Sequence, residues 1–291
     1  MRPRGLDSGG YSLVELMVAM AVMTLISSGV FLMMSVYQRS HTSNMLRAGL
    51  HAELRNTIDL LAQEVSQAGL LNFTPTTTTA AVTGSGSSQT VNVASAAWMF
   101  VGEKLLIDEG SSQEAVATTA VGASSITGVF TKNHASGAAV SAVGVFSQGV
   151  LSTSTATQLQ MVGDFNADGT LAYVRYDCST AAGTLTRSIT PLTSATMSAS
   201  VVLVDNVVAN PGGTACFRYT TTTVSGYTFV TGVSVTLTAT SGLTDPALNA
   251  PFSETKQFFD LAPRNVILGV GFANAGATNY LQPTPPGVPL T

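Results

Sequence analysis

The chain is short of charge. Of 291 residues, 12 are Lys or Arg, 16 are Asp or Glu and three are His, giving a formal charge of −4. A general nucleic-acid-binding face needs clustered Lys and Arg, so this composition argues against one. Two cysteines, Cys178 and Cys216, are too few for a thiol metal site. The histidines His41, His51 and His134 are scattered, and no H-E-x-x-H, G-x-S-x-G or Walker loop occurs. Gly269-Val270-Gly271 lacks the third glycine of a dinucleotide fingerprint. The single Trp98 and the tyrosines read as packing residues rather than a sugar platform. Catalysis finds no support in this inventory, and the chain is expected not to be an enzyme. Proline is missing too, with none between Pro3 and Pro75.

What is present is concentrated at one end. Gly9-Gly10-Tyr11-Ser12-Leu13-Val14-Glu15 opens an apolar run, and the 23 residues from Leu16 to Gln38 carry no formal charge. As a helix that run is ~34 Å long, enough to cross a hydrocarbon core of ~30 Å. Its apolar stretch is too long for an ordinary secretory signal, and no small-residue cleavage site follows it. Arginines flank both ends (Arg2 and Arg4 before, Arg39, Arg47 and Arg55 after), so charge counting does not set its orientation. Glu15 at the start of the span calls for a partner, since a carboxylate at a span's centre costs on the order of 2.5–3.5 kcal/mol, and somewhat less near an end. A cut after Gly10 would supply that partner. The new Tyr11 amine would lie one helical turn away, in the same chain or in a neighbour, and between neighbours it would fix axial register.

These residues resemble the class III signal of type IV prepilins and type II secretion pseudopilins. That family has a short basic leader, a Gly before the cut, an aromatic first mature residue and Glu as the fifth. Gly10, Tyr11 and Glu15 match those positions, with Tyr11 where Phe is usual and Asp7 an unusual acid in the leader. The resemblance implies cleavage between Gly10 and Tyr11, N-methylation of Tyr11, and Glu15 as the docking charge between subunits. It also puts the leader in the cytoplasm and the remainder outside. Removing residues 1–10 takes away two arginines and one aspartate, so the formal charge moves from −4 to −5.

Beyond the span the helical period continues. Met45, Leu46, Leu50, Leu54, Ile58, Leu61, Val65 and Ala68 form an apolar stripe, with Arg47, Glu53, Arg55, Asp59 and Glu64 on other faces. Gly69 is a stop signal. The spacing predicts one helix of ~55 residues from near Ser12 to Ala68, with Ser27-Ser28-Gly29 as its weakest point. The expected order is a leader over 1–10, a pilin helix over 11–70 with its span at about 14–37, and a Ser/Thr/Gly-rich linker over 71–88. An inserted β module over 89–148, a pilin-type sheet over 149–270 and a tail over 271–291 follow. Within the module, strands are expected at 90–94, 99–101, 104–108, 115–121, 125–130 and 139–146. In the sheet, Gln158–Val162 and Leu171–Tyr176 should form a hairpin, followed by strands at 185–189, 201–208, 216–222 and 227–240 and an edge segment at Phe258–Leu261. In the long strand Val233, Val235, Leu237 and Ala239 alternate with polar residues, the period of a half-buried antiparallel strand. The fold class is therefore α+β: a long N-terminal helix, membrane-spanning in its first half, packed on an antiparallel sheet with an inserted β module.

Two constellations remain. Asp164-Phe165-Asn166-Ala167-Asp168-Gly169 resembles the first half of a calcium loop, but Arg175 stands where an EF-hand needs a bidentate Glu. The loop is either a looser Ca2+ turn on Asp164, Asn166 and Asp168, or a hairpin loop whose Asp and Asn bond local amides. Cys178 and Cys216, outside the cytoplasm, are expected to form a disulfide closing a loop of ~38 residues. The D-x-N-x-D-G loop, a Leu-x-Arg strand (Leu185, Arg187), an Asn-Val-Val segment from Asn206 and an Arg-Asn-Val from Arg264 together look like the PilW-like minor pilins, relatives of J-type minor pseudopilins. That likeness spans residues 8–70 and, more loosely, 158–266, and does not extend to 89–148. Filament-forming major pilins usually carry a proline within the apolar half-helix; its absence here points to a minor subunit. The resemblance implies an inner-membrane, single-pass precursor that enters a type IV pilus at the cell surface as an initiating or tip subunit. The alternatives are a tip adhesin or DNA-uptake pilin, and a minor pseudopilin of type II secretion. Implied partners are prepilin peptidase, major and minor pilins, the inner-membrane assembly platform and membrane lipid.

Overall fold

The computed structural model describes residues 10, 12–71, 74–194 and 196–286. Its first element is a helix of 55 residues, Leu13–Gln67. No break occurs at Ser27-Ser28-Gly29, where a weak point was expected. Thr24, Ser28 and Ser35 each donate a hydroxyl to the carbonyl three residues back, at 2.8 Å, so these three satisfy their donors within the helix. The helix stops where Gly69 turns to φ +84°. Its amide leaves the helical ladder and donates to Val162 O at 2.9 Å. A Cβ on Gly149 would stand 2.5 Å from Gly69 Cα, so this crossing is open only to glycine.

The described chain divides into two compact units. One takes in the helix up to Gly49 together with Ser241–Phe252; the other comprises Leu50–Thr240 and the residues from Ser253 on. In the first unit, Ser241–Phe252 is the outer part of a hairpin built from strands Tyr227–Asp245 and Ala250–Leu261. Asp245 is fully buried there. Its carboxylate accepts from Ser43 Oγ at 2.9 Å, from Arg47 Nε at 3.0 Å and from the Ala247 amide at 2.8 Å. Arg47 also lies over the Phe252 ring, 5.1 Å from its centroid. The apolar stripe was expected from Met45, yet Met45 is 63% exposed, because this part of the helix is held by the polar cage of Asp245.

In the second unit the stripe is buried from Leu50 through Leu54, Ile58, Leu61, Val65 and Ala68. Two antiparallel sheets carry it. The first has the order Val201–Asp205, Thr184–Pro191, Ala172–Ser179, Gln158–Gly163, and contains the expected hairpin with Val162 opposite Tyr173. The second has Val207–Val208 and Phe217–Val224 along Tyr227–Asp245, with Ala250–Leu261 also paired to that long strand. The run 201–208, expected as one strand, is two. Asn206 adopts φ +55° and carries the chain from the first sheet to the second. A disulfide between Cys178 and Cys216, as expected, ties the first sheet to the segment entering the second.

The β module differs from expectation at its edges. The predicted linker 71–88 contributes strand Thr76–Thr77 and the bridges Thr78–Val93 and Val82–His134, because its threonines find backbone partners rather than water. No strand forms at 99–101, where the chain turns at Trp98 with φ +70°. Two sheets result: Thr76–Thr77, Ala139–Ala142, Lys104–Ile107, Glu114–Ala117; and Ser88–Asn92, Ser125–Val129, Ala120–Val121. Their core of Val91, Leu105, Ile107, Ile126 and Phe130 runs without a break into Val162, Leu171 and Tyr173 of the main hairpin. Of the residues expected as a tail from 271, those up to Gln282 are part of the fold. Helix Arg264–Asn274 packs Val266 and Ala273 with Val145, Phe229 and Leu281, and strand Leu281–Gln282 runs parallel to Val145–Phe146. Gln282 is fully buried, donating to Lys104 O and Val143 O and accepting from the Lys104 amide.

Candidate functional site

The N-terminal helix has the clearest unmet physical demand. Every large apolar side chain from Leu13 to Tyr37 is exposed, from 48% at Val22 to 79% at Met33. Each such side chain left in water forgoes ~1.5–3 kcal/mol of burial, so this surface fits a membrane or a partner helix rather than water. The stretch is long and apolar enough to cross a membrane, with none of its span buried inside the protein. One charge interrupts it. Glu15 sits exposed in the first turn, where the helix dipole favours an anion. The Leu16 amide bonds to Ser12 O at 3.1 Å, so backbone closes the first turn beside the exposed Glu15. Gly10 is exposed, and a Cβ placed on it would meet nothing within 4 Å. Tyr11 and residues 1–9 of the expected leader lie outside the described residues.

The other sequence candidates fall elsewhere and are not brought to this end. Asp164 is buried, and its two oxygens accept from the amides of Asp168 at 3.2 Å and Gly169 at 2.8 Å. Asp168 in turn accepts from the Thr170 amide at 2.8 Å. The loop thus bonds to its own backbone through both aspartates. Among the described residues no group of three or more His, Cys, Asp and Glu is placed to hold a metal ion.

Three polar clusters went unread in the sequence. Glu64, expected off the apolar stripe, is buried and receives the Tyr176 hydroxyl, Arg187 Nε at 3.1 Å and a close second contact from Arg187 Nη2. This pins the helix to the first sheet. Burial first, and then the Glu64 carboxylate, push the Tyr176 hydroxyl far up from its ordinary value. His134, with no exposed side-chain surface, stands between Asp108 Oδ2 at 3.2 Å and Glu114 Oε1 at 2.7 Å. The Glu109 amide and His134 hold Asp108 below the usual carboxylate range. Glu114 is raised by burial but lowered further by Thr131, His134 and Lys132. Glu103 is fully buried with one oxygen unpartnered, and burial raises its carboxyl to about 8 against the lesser pull of the Phe100 amide.

Comparison with known families agrees with the geometry at the N-terminus. The prokaryotic N-terminal methylation motif matches residues 7–31. The matched stretch holds Gly10, Tyr11, Glu15 and the start of the exposed span, and it supports a prepilin-type protein with a membrane-anchoring helix. No curated protein and no solved structure matches the chain.

Proposed function

We propose that this chain is a PilW-like minor pilin, cut by prepilin peptidase after Gly10 and N-methylated on Tyr11. It waits as a single-pass inner-membrane protein with its larger part outside the cytoplasm, and the assembly platform then extracts it into a type IV pilus. There it initiates the fibre or sits at its tip, with a structural rather than an enzymatic role. The observation that carries this reading is the exposed carboxylate of Glu15, the one acid in the apolar stretch 13–38, which opens inside the matched methylation motif. An acid retained in lipid needs a cation, and the Tyr11 amine of a neighbouring subunit is one at the right depth. The uninterrupted helix favours a minor over a major subunit. A minor pseudopilin of a type II secretion system would use the same residues in the same roles, and the fibre that takes up the wild-type chain separates the two.

Glu15→Ala tests the reading. The variant should be processed like the wild type, recovered in the membrane, and missing from sheared fibres. Incorporation at the wild-type level would remove Glu15 from the docking role.

A further inference from the structure

We infer that the hairpin tip Ser241–Phe252 is a second membrane contact, resting on the outer phospholipid headgroup layer beside the spanning helix. The inference depends on the reading of Leu16–Gln38 as a membrane span. The tip is fastened to the helix through Asp245. Asp245 is bonded to Ser43 and Arg47, both on the helix just past the end of the uncharged run at Gln38. Ser43 is five residues beyond Gln38, ~7.5 Å along the axis. The polar layer on each face of a bilayer is on the order of 5–7 Å thick. The tip is therefore held within a side chain's length of the headgroups.

Its composition suits that place. Ser241-Gly242-Leu243-Thr244-Asp245-Pro246-Ala247-Leu248-Asn249-Ala250-Pro251-Phe252 contains one charged residue, Asp245. That charge is buried and matched by Arg47, so the tip offers lipid no unpaired carboxylate. Burial alone would raise the Asp245 carboxyl, but the Ala247 amide, Ser43 and Arg47 outweigh it and hold it ionised. What the tip does offer is apolar: Leu243 is 66% exposed and Leu248 52% exposed. Two exposed leucines on a neutral loop are a poor surface for water and a good one for the boundary between headgroups and acyl chains, where apolar groups sink ~5–10 Å. The helix adds Arg39, a cation at the same boundary that suits phosphate.

The lipid contact would fix the depth and rotation of the precursor in the bilayer before extraction, since a single helix alone sets neither. The test uses the full chain in vesicles of phosphatidylcholine and phosphatidylglycerol, labelled with an environment-sensitive dye at Leu248→Cys or Leu243→Cys without reducing Cys178–Cys216. Lipids brominated close to the headgroup should quench the dye at both positions, and Asp245→Ala, which unfastens the tip, should restore emission to that of dye in water. A dye at Met23→Cys, quenched by bromines deep in the acyl chains, reports the span independently. Quenching at Met23 without quenching at 243 or 248 overturns the lipid contact and leaves the span reading standing. No quenching at Met23 overturns both. Dye at 248 that is unquenched in vesicles but shielded in assembled fibres assigns the tip to a neighbouring subunit and also overturns the proposal.

Discussion

Glu64 and Glu103 are both carboxyls cut off from water, and their neighbours treat them differently. Glu64 has a guanidinium and a phenol, so its charge is matched inside the fold. Glu103 has one amide and an unpartnered oxygen, so it stays protonated up to about 8. Between its ordinary value of 4.5 and about 8 the unfolded chain has released this proton while the folded chain keeps it. The folded state then binds more protons, so stability falls as pH rises through that window and levels off above it. The loss attributable to Glu103 is on the order of 3–5 kcal/mol. Urea denaturation of the detergent-solubilised chain at both ends of the window checks this. Glu103→Gln should flatten the pH dependence, and an unchanged slope would place the proton on another group. Neither carboxyl is legible in the sequence. Glu64 stands 123 residues from Arg187, and nothing local marks the pair. Glu15 is legible because no helix in lipid carries an acid without a reason.

At the scale of elements, the long helix was readable to within a residue at each end, since its period, its lack of proline and Gly69 all point the same way. The alternating strands of the main sheet were readable for the same kind of reason. The C-terminal helix Arg264–Asn274 was not, because Gly269 and Gly271 look like breakers. Gly269 is there for packing: a Cβ would come within 3.1 Å of Val145 and 3.3 Å of Phe229. The two-residue strand Leu281–Gln282 carries no period at all, and its role is to deliver one amide side chain to the backbone at Lys104 and Val143. Gln282→Ala would leave those buried groups unpaired, at a cost of about 1–3 kcal/mol. A lowered thermal midpoint with the disulfide intact is the expected result.

Across the whole molecule, the α+β class was legible in the sequence, and the way its parts join was not. The β module was expected as an insertion with a linker before it. Its core is instead continuous with the main hairpin through Val162, Leu171 and Tyr173, a merging of residues far apart in the chain that periodicity does not report. The disulfide makes a separate tie, between the first sheet and the segment entering the second, across 38 residues. Replacing both Cys178 and Cys216 by Ala should cost ~3–4 kcal/mol by the chain-entropy estimate, seen as a lower denaturation midpoint. An unchanged midpoint would mean that packing alone holds the sheets together.

Cleavage after Gly10 is what gives Glu15 an amine partner. Intact-mass measurement of the mature protein from its native membrane tests it directly. The predicted species begins at Tyr11 and is one methyl group heavier than the bare chain from that residue. A chain that still begins at Met1 would contradict the account, because Glu15 would then have no amine to meet.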